Sequence, residues 1–258
     1  MISKAKIKLI HSLQQKKHRR EHGLFVAEGP KVVGDIMHEI QPRLIAATAE
    51  WLHLNNSFSP TTEVIEVTAE ELSRASLLQA PQEVLALFPI DGNGDGSIIP
   101  PEDELVIALD DVQDPGNLGT IIRIADWFGV TRLYCSPNTA DIYNPKVVQA
   151  TMGSLARVKV VYTDLPSLLL QLPASYPVYG TFLDGNSLYE EPIDGVSGMI
   201  VMGNEGNGIS PAVARHINRR LLIPDYAHGR TTADSLNVAV ATAITVAEFR
   251  RKASLSAM

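Results

Sequence analysis

The stretch LVIALDDVQDPGNLGTIIRIADWFGV, residues 105–130, sets the architecture. Its first five residues form an unbroken apolar run of strand length, the pattern of a strand covered on both faces. Asp114-Pro115-Gly116 then marks a turn, and Asn117 stands where a helix cap is expected. Leu118, Ile121, Ile122, Ala125 and Phe128 recur at helical spacing, and Gly129 stops the helix. A buried strand, a tight turn and an amphipathic helix open a βαβ unit.

The same rhythm continues downstream. RLYCS (132–136), RVKVVY (157–162), PVYGTFL (177–183), GMIVMG (198–203) and RRLLIP (219–224) read as further strands, most of them separated by helical segments. The fold class is therefore α/β, with a mostly parallel sheet covered by helices on both faces. Upstream lies PIDGNGDGSIIPPED (89–103), where glycine, proline and aspartate replace the hydrophobic pattern. Ahead of it, a charged helix near 3–20 precedes short β-type runs at Leu24–Ala27, Leu44–Ala47, Glu63–Val67 and Val84–Phe88, a small α/β domain. The expected division is 1–88, an acidic linker 89–103, and 104–258.

Within the linker, Asp91, Asn93, Asp95, Gly96 and Glu102 match a calcium-loop pattern. A working loop needs a helix on each side. Here EVLALF before it and ELVIALDD after it read as strands, so an acidic, turn-rich linker with no metal is the expectation. Cys135, the single cysteine, excludes an intrachain disulfide and a cysteine-based zinc cluster. With no signal-type apolar core at the start and no run of membrane-spanning length, a soluble cytoplasmic protein is expected, without a membrane partner.

Charge gives two contrary signals. The net charge of -7 over 258 residues argues against a nucleic-acid binder. Residues 1–22, however, carry seven Lys and Arg against the single Glu21. Lys16, Lys17, Arg19 and Arg20 are the candidate phosphate contacts; the rival reading is a solvated helix whose charge aids solubility.

Three loops leave the carboxyl ends of strands, the edge where ligands bind in parallel sheets. The first carries Asn117 and Arg123. The second, GNEGNGIS (203–210), holds Glu205 between glycines 203, 206 and 208, and Ser210-Pro211 reads as a cap followed by a helix. Its G-x-x-G-x-G spacing is not the dinucleotide fingerprint, which sets aside a nucleotide-dependent oxidoreductase. The third loop leads to Ser235 and Asn237 at the start of an alanine-rich terminal helix. Ser235 reads equally as a helix cap or as a site residue.

DPGNLGTIIRIADWFGV, IVMGNEGNGIS and IPDYAHGRTTADSLNVAVATAI resemble, in order, the three signature motifs of the SpoU-type (TrmH-like) RNA ribose 2′-O-methyltransferases of the SPOUT superfamily. NPKVVQATMGSLARVKV (144–160) is similar to that family's middle region. RREHGLFVAEGPKVVGDIM (19–37) resembles the start of a substrate-binding domain found ahead of many such enzymes, a fold shared with small ribosomal proteins. The resemblance implies a deep trefoil knot, S-adenosylmethionine as cofactor, a homodimer, and RNA as substrate, ribosomal RNA before transfer RNA. It further implies Arg123, Asn117, Glu205, Ser235 and Asn237 as catalytic residues. Gly203, Ile223, Leu236, Met202, Asn204 and Gly208 would bind the cofactor. One departure is a connection longer than the family's, which brings in Tyr226, His228 and Arg230. The rival from another class is a catalytically inactive RNA-binding or ribosome-assembly factor on the same fold.

Overall fold

The computed structural model describes residues 1–90, 99–193, 196–227, 230–231 and 233–256. The first elements are α1 (Lys4–Ser12), α2 (Lys16–His22), β1 (Leu24–Glu28), α3 (Pro30–Met37), β2 (Leu44–Ala47), α4 (Ala49–Leu54), β3 (Glu63–Glu66), α5 (Ala69–Ala75) and β4 (Val84–Pro89). There follow β5 (Leu105–Leu109), α6 (Pro115–Trp127), β6 (Arg132–Cys135), α7 (Pro145–Thr151), β7 (Lys159–Tyr162) and α8 (Leu165–Leu169). The last are β8 (Val178–Ser187), β9 (Gly198–Met202), α9 (Pro211–Ala214), β10 (Arg219–Leu222) and α10 (Val238–Ser256). They group into two compact units, Met1–Gly94 with Asp141–Arg157, and Asp95–Ala140 with Val158–Met258.

The first unit is a four-stranded sheet of order β1-β4-β2-β3, in which only the β2–β3 pair is parallel. Ile10, Leu13, Val26, Leu72 and Leu85 are among the buried residues of its core. The single basic helix expected over 3–20 is two helices. Arg19, from α2, donates to the carbonyls of Leu13 at 2.7 Å and Gln14 at 2.8 Å. It thereby satisfies backbone acceptors that the end of α1 leaves open. Its other guanidinium nitrogen meets Asp141 at 2.7 Å, with the Arg19 side chain only 2% exposed. Arg19 is thus a buried structural cation, which corrects its expected place among the phosphate contacts. Lys16, Lys17 and Arg20 remain exposed.

The segment 141–157 belongs to this first unit, whereas a continuous 104–258 domain was expected. It is the crossover between β6 and β7, and periodicity alone cannot tell which sheet such a helix covers. Here α7 packs along β1, the edge strand. Tyr143 lies against Phe25, ring centroids 4.9 Å apart, and Gly153 (φ 93°) sits so close to Asp35 that a Cβ there would fall 2.3 Å from Asp35 Cβ.

The second unit is a six-stranded, all-parallel sheet of order β10-β8-β9-β5-β6-β7. β5 and β9 lie at its middle, and every residue of both is buried, as their unbroken apolar runs require. Of the calcium-loop pattern only Glu102 lies within the described residues; Asp91, Asn93, Asp95 and Gly96 lie outside them. The described flanks, β4 and β5, are strands. No helix among the described residues is long and apolar enough to cross a membrane.

Candidate active site

Because β5, β9, β8 and β10 run parallel, the loops after β5, β9 and β10 leave the same edge of the sheet. The first begins at Asp110, a buried carboxylate whose Oδ2 accepts the Ser210 N–H at 2.7 Å and so holds the start of α9. Asp111 follows with φ 59°, a left-handed backbone that Asp tolerates better than most side chains. The Ser136 hydroxyl accepts from the Asp111 N–H at 2.8 Å and donates to Asp111 Oδ1 at 2.6 Å, fixing that turn from β6. Neither aspartate, nor Ser136, was singled out in the sequence; a pair of acids at a strand end is the only signal they leave there.

Asp114, not Asn117, caps α6. Its Oδ1 accepts from the Asn117 N–H at 2.8 Å, and Pro115 occupies the first helical position. Asn117 is therefore one turn inside the helix with its amide free for other work. That amide donates to Glu205 Oε1 at 2.9 Å, and its oxygen accepts from Asn237 Nδ2 at 2.9 Å. Glu205 also accepts from the N–H groups of Gln113 at 3.4 Å and Asp114 at 3.3 Å. A carboxylate at the N-terminus of a helix is placed where the helix dipole favours it. At the far end, Asn237 Oδ1 accepts from Ala239 N at 3.0 Å and Val240 N at 3.3 Å. Asn237 thus caps α10, and Ser235 does not. With its oxygen so committed, the Asn237 amide can only donate toward Asn117. The chain Asn237 to Asn117 to Glu205 has one consistent direction and joins all three loops.

The second loop is a tight hairpin, with Asn204 and Gly208 exchanging both backbone hydrogen bonds at 2.9 Å. Asn204 organises it. Its Nδ2 donates to the Asp111 carbonyl at 2.7 Å, while its Oδ1 accepts from Gly206 N at 2.9 Å and Asn207 N at 3.0 Å. That side chain therefore holds the hairpin in shape and ties it to the first loop. Gly203 leaves no room for a side chain, since a Cβ would lie 2.2 Å from the Gly208 carbonyl carbon. Gly208 itself has φ 68°. Met202 is buried; its carbonyl accepts the Asp110 N–H, and its sulfur accepts from the Thr181 hydroxyl at 3.8 Å. It forms the floor of the edge, with its side chain facing the core.

Ile223, at the end of β10, is half-buried, and Leu236 is 50% exposed. Both lie on the third loop and leave apolar surface bare. Arg123 lies six residues beyond Asn117 on α6, about 9 Å along the helix axis, and is exposed. Among the described residues it has no hydrogen-bond or ion-pair partner, and the same holds for Ser235. In the longer connection, Tyr226 is exposed, Arg230 donates to the Ala227 carbonyl at 3.2 Å, and His228 lies outside the described residues.

Comparison with known proteins agrees with this layout. Residues 104–247 match the SpoU rRNA Methylase family, and residues 4–86 match the MRM3-like substrate binding domain. The Bacillus subtilis 23S rRNA (guanosine(2553)-2′-O)-methyltransferase RlmP is 30% identical over 253 residues, covering 95% of this chain and 96% of its own length. A solved TrmH-family structure from Porphyromonas gingivalis superposes with a TM-score of 0.85 at 39% identity, covering 98% of this chain and 99% of that one. An AdoMet-bound rRNA methyltransferase from Sinorhizobium meliloti gives 0.84 at 31% identity over 97% of this chain and 96% of its own. With the family match spanning the parallel sheet and all three loops of the site, the chain belongs to the SpoU rRNA methylase family.

Proposed function

We propose that this protein methylates a ribose 2′-hydroxyl in ribosomal RNA, with S-adenosylmethionine as methyl donor. The observation that carries the reading is the directed hydrogen-bond chain Asn237–Asn117–Glu205, which ties three strand-end loops into one polar wall. The residues present fit an adenosine-bearing cofactor. Gly203 keeps side chains out of the hairpin mouth, while Ile223 and Leu236 offer the apolar faces that an adenine ring requires. When bound, the cofactor supplies an electrophilic methyl group on a sulfonium.

The chain's own residues then have to present the oxygen and manage its charge. Asn117, held from both sides, orients the hydroxyl; a group fixed in this way gains most of its effect from positioning. Arg123 anchors the neighbouring phosphate and stabilises charge developing on the oxygen. It does not serve as base, because a guanidinium keeps its proton far above neutral pH; the hydroxyl proton leaves late, to an acceptor other than Arg123, as the carbon–oxygen bond forms and the carbon–sulfur bond breaks. Ser235 completes the wall. Lys16, Lys17 and Arg20 hold RNA phosphates through charge.

The active form is a homodimer. Trp127 is 85% exposed and shares a helical stripe with Gly116, Thr120 and Arg123, all exposed on α6, while Val240 on α10 is 49% exposed. An exposed tryptophan beside the site is the surface a second copy would cover. The C-terminal segment after β10 is threaded as a trefoil knot, the arrangement the three motifs imply.

Mapping ribose methylation in RNA from cells with and without the gene tests the function. One 23S ribose should lose its methyl group in the deletion and regain it on complementation, whereas transfer RNA should be unchanged. Unaltered methylation in every RNA would favour the rival, an inactive RNA-binding or ribosome-assembly factor.

A further inference from the structure

The first unit holds a cleft that the catalytic reading does not use. Its volume is about 360 Å³. One wall is the loop after α5, with Leu77 and Leu78; Val26 of β1 and, from α7, Pro145, Gln149 and Ala150 complete the lining. At the floor, Glu28 is buried. Its carboxylate accepts from the Ser76 hydroxyl and, at 2.9 Å, from the Leu77 N–H, which fixes the first wall.

Two polar side chains of α7 face this cleft without a partner of their own. The Gln149 amide and the Lys146 ammonium form no hydrogen bond or ion pair with any described residue, although both line the space. An amide that offers both a donor and an acceptor matches the edge of a nucleobase. An ammonium at the rim matches a phosphate. The apolar walls match the faces of a ring, and the volume exceeds that of one base.

The cleft also lies beside the basic head. Arg19 of α2 is locked to Asp141, four residues before α7 begins, and a charge interaction with His11, just before the end of α1, lowers the Glu28 pKa, opposing the upward push of burial. The exposed cations Lys16, Lys17 and Arg20 are therefore carried on a helix pinned to the segment that forms one wall of the cleft.

We propose that this cleft takes one unstacked nucleobase of the RNA, stacked between Leu77–Leu78 and α7, read by Gln149, with Lys146 on the adjoining phosphate. The proposal rests on RNA being the substrate and adds the place where the first unit distinguishes a single-stranded, splayed nucleotide from a duplex. Single-strand recognition by proteins works in this way, by ring faces and base edges set in a cationic surround.

The test uses the full chain and two fluorescein-labelled probes, a mixed-sequence RNA nonamer and the same nonamer annealed to its complement. Fluorescence anisotropy should show the single strand bound more tightly. Gln149→Trp, which fills the cleft, should lower single-strand affinity about tenfold and leave duplex affinity unchanged. Lys16→Ala with Lys17→Ala should weaken both probes and flatten the salt dependence. A 4-thiouridine nonamer should crosslink to the peptides carrying Leu77–Leu78 or Pro145–Ala150, a readout on the unaltered protein that does not depend on a variant folding. Equal single-strand binding by Gln149→Trp, or crosslinks confined to other peptides, overturns the cleft as a base site. Absence of binding to both probes overturns the RNA reading of this unit as well.

Discussion

Replacing Gly203 by alanine probes the hairpin that closes the proposed cofactor site. Its added methyl carbon would sit 2.2 Å from the Gly208 carbonyl carbon, 2.3 Å from the Ile209 nitrogen and 2.6 Å from the Gly208 oxygen. All three are backbone atoms, so no side chain can rotate away, and ordinary contact requires the hairpin to move by about 1 Å. Overpacking of this kind costs roughly 1–3 kcal/mol of stability. The larger effect falls on function, because a misplacement of about 1 Å can reduce a rate about 100-fold. The displaced loop carries Glu205, and with it the anchor of Asn117. Gly206→Ala is the matched control, for the same methyl there meets only Asn204 Oδ1 at 3.6 Å. Calorimetry with S-adenosylmethionine, paired with transfer of labelled methyl groups to unmethylated ribosomal RNA, should find Gly203→Ala impaired in both and Gly206→Ala close to the parent. Equal impairment of the two variants, or an unimpaired Gly203→Ala, would show that the close approach of Gly203 to Gly208 does not hold the site.

Other perturbations separate structural from functional roles. Arg123→Ala should abolish methyl transfer while calorimetric cofactor affinity stays within a few-fold; normal turnover would remove Arg123 from the mechanism. Arg19→Ala should destabilise the first unit by about 3 kcal/mol, since it strips Asp141 and two carbonyls of a buried partner, whereas Lys17→Ala should leave the melting temperature alone. Burial pushes the Glu28 carboxyl above the ordinary carboxylate range, against the opposing hydrogen bonds from Ser76 and Leu77. A raised folded pKa means that stability is retained at pH values below the unfolded pKa and falls as pH rises through the folded one. Glu28→Gln should therefore gain stability over the parent near pH 7, with the gain disappearing in denaturation curves taken below pH 4. Trp127→Glu should shift the protein from dimer to monomer in light scattering; an unchanged mass would place the subunit contact elsewhere.

Local patterns carried most of the fold. The run Leu105–Leu109 and the stretch Leu44–Ala47 are strands over the residues expected, Gly129 follows α6 with φ 65°, and Ser210 caps α9 through its hydroxyl. In each case the deciding signal lies within a few residues. Where two capping residues stand close together, local reading is weakest. Asp114 caps α6 in place of Asn117, a choice that Pro115 at the first helical position already encoded. At α10, where Ser235 reads equally as cap or site residue, Asn237 takes the cap. In both cases the asparagine joins the polar chain of the site.

Long-range partners were not legible. Arg19 stands in a run of exposed cations and reads as one of them, yet its fate is set by Asp141, 122 positions away. The crossover 141–157 carries the apolar spacing of any βα unit, and nothing local says that it covers β1. The residues that brace the site, Asp110, Asp111 and Ser136, likewise act through contacts 25 and 100 positions apart.

Nucleoside analysis reads out the proposed transfer of a methyl group to a ribose oxygen of ribosomal RNA. Unmethylated 23S RNA is incubated with the protein and S-adenosylmethionine carrying a labelled methyl group, digested to nucleosides, and separated by mass. Label is expected in a single 2′-O-methylnucleoside and is lost with Arg123→Ala. Label on a base, or none from protein that binds the cofactor, would contradict it.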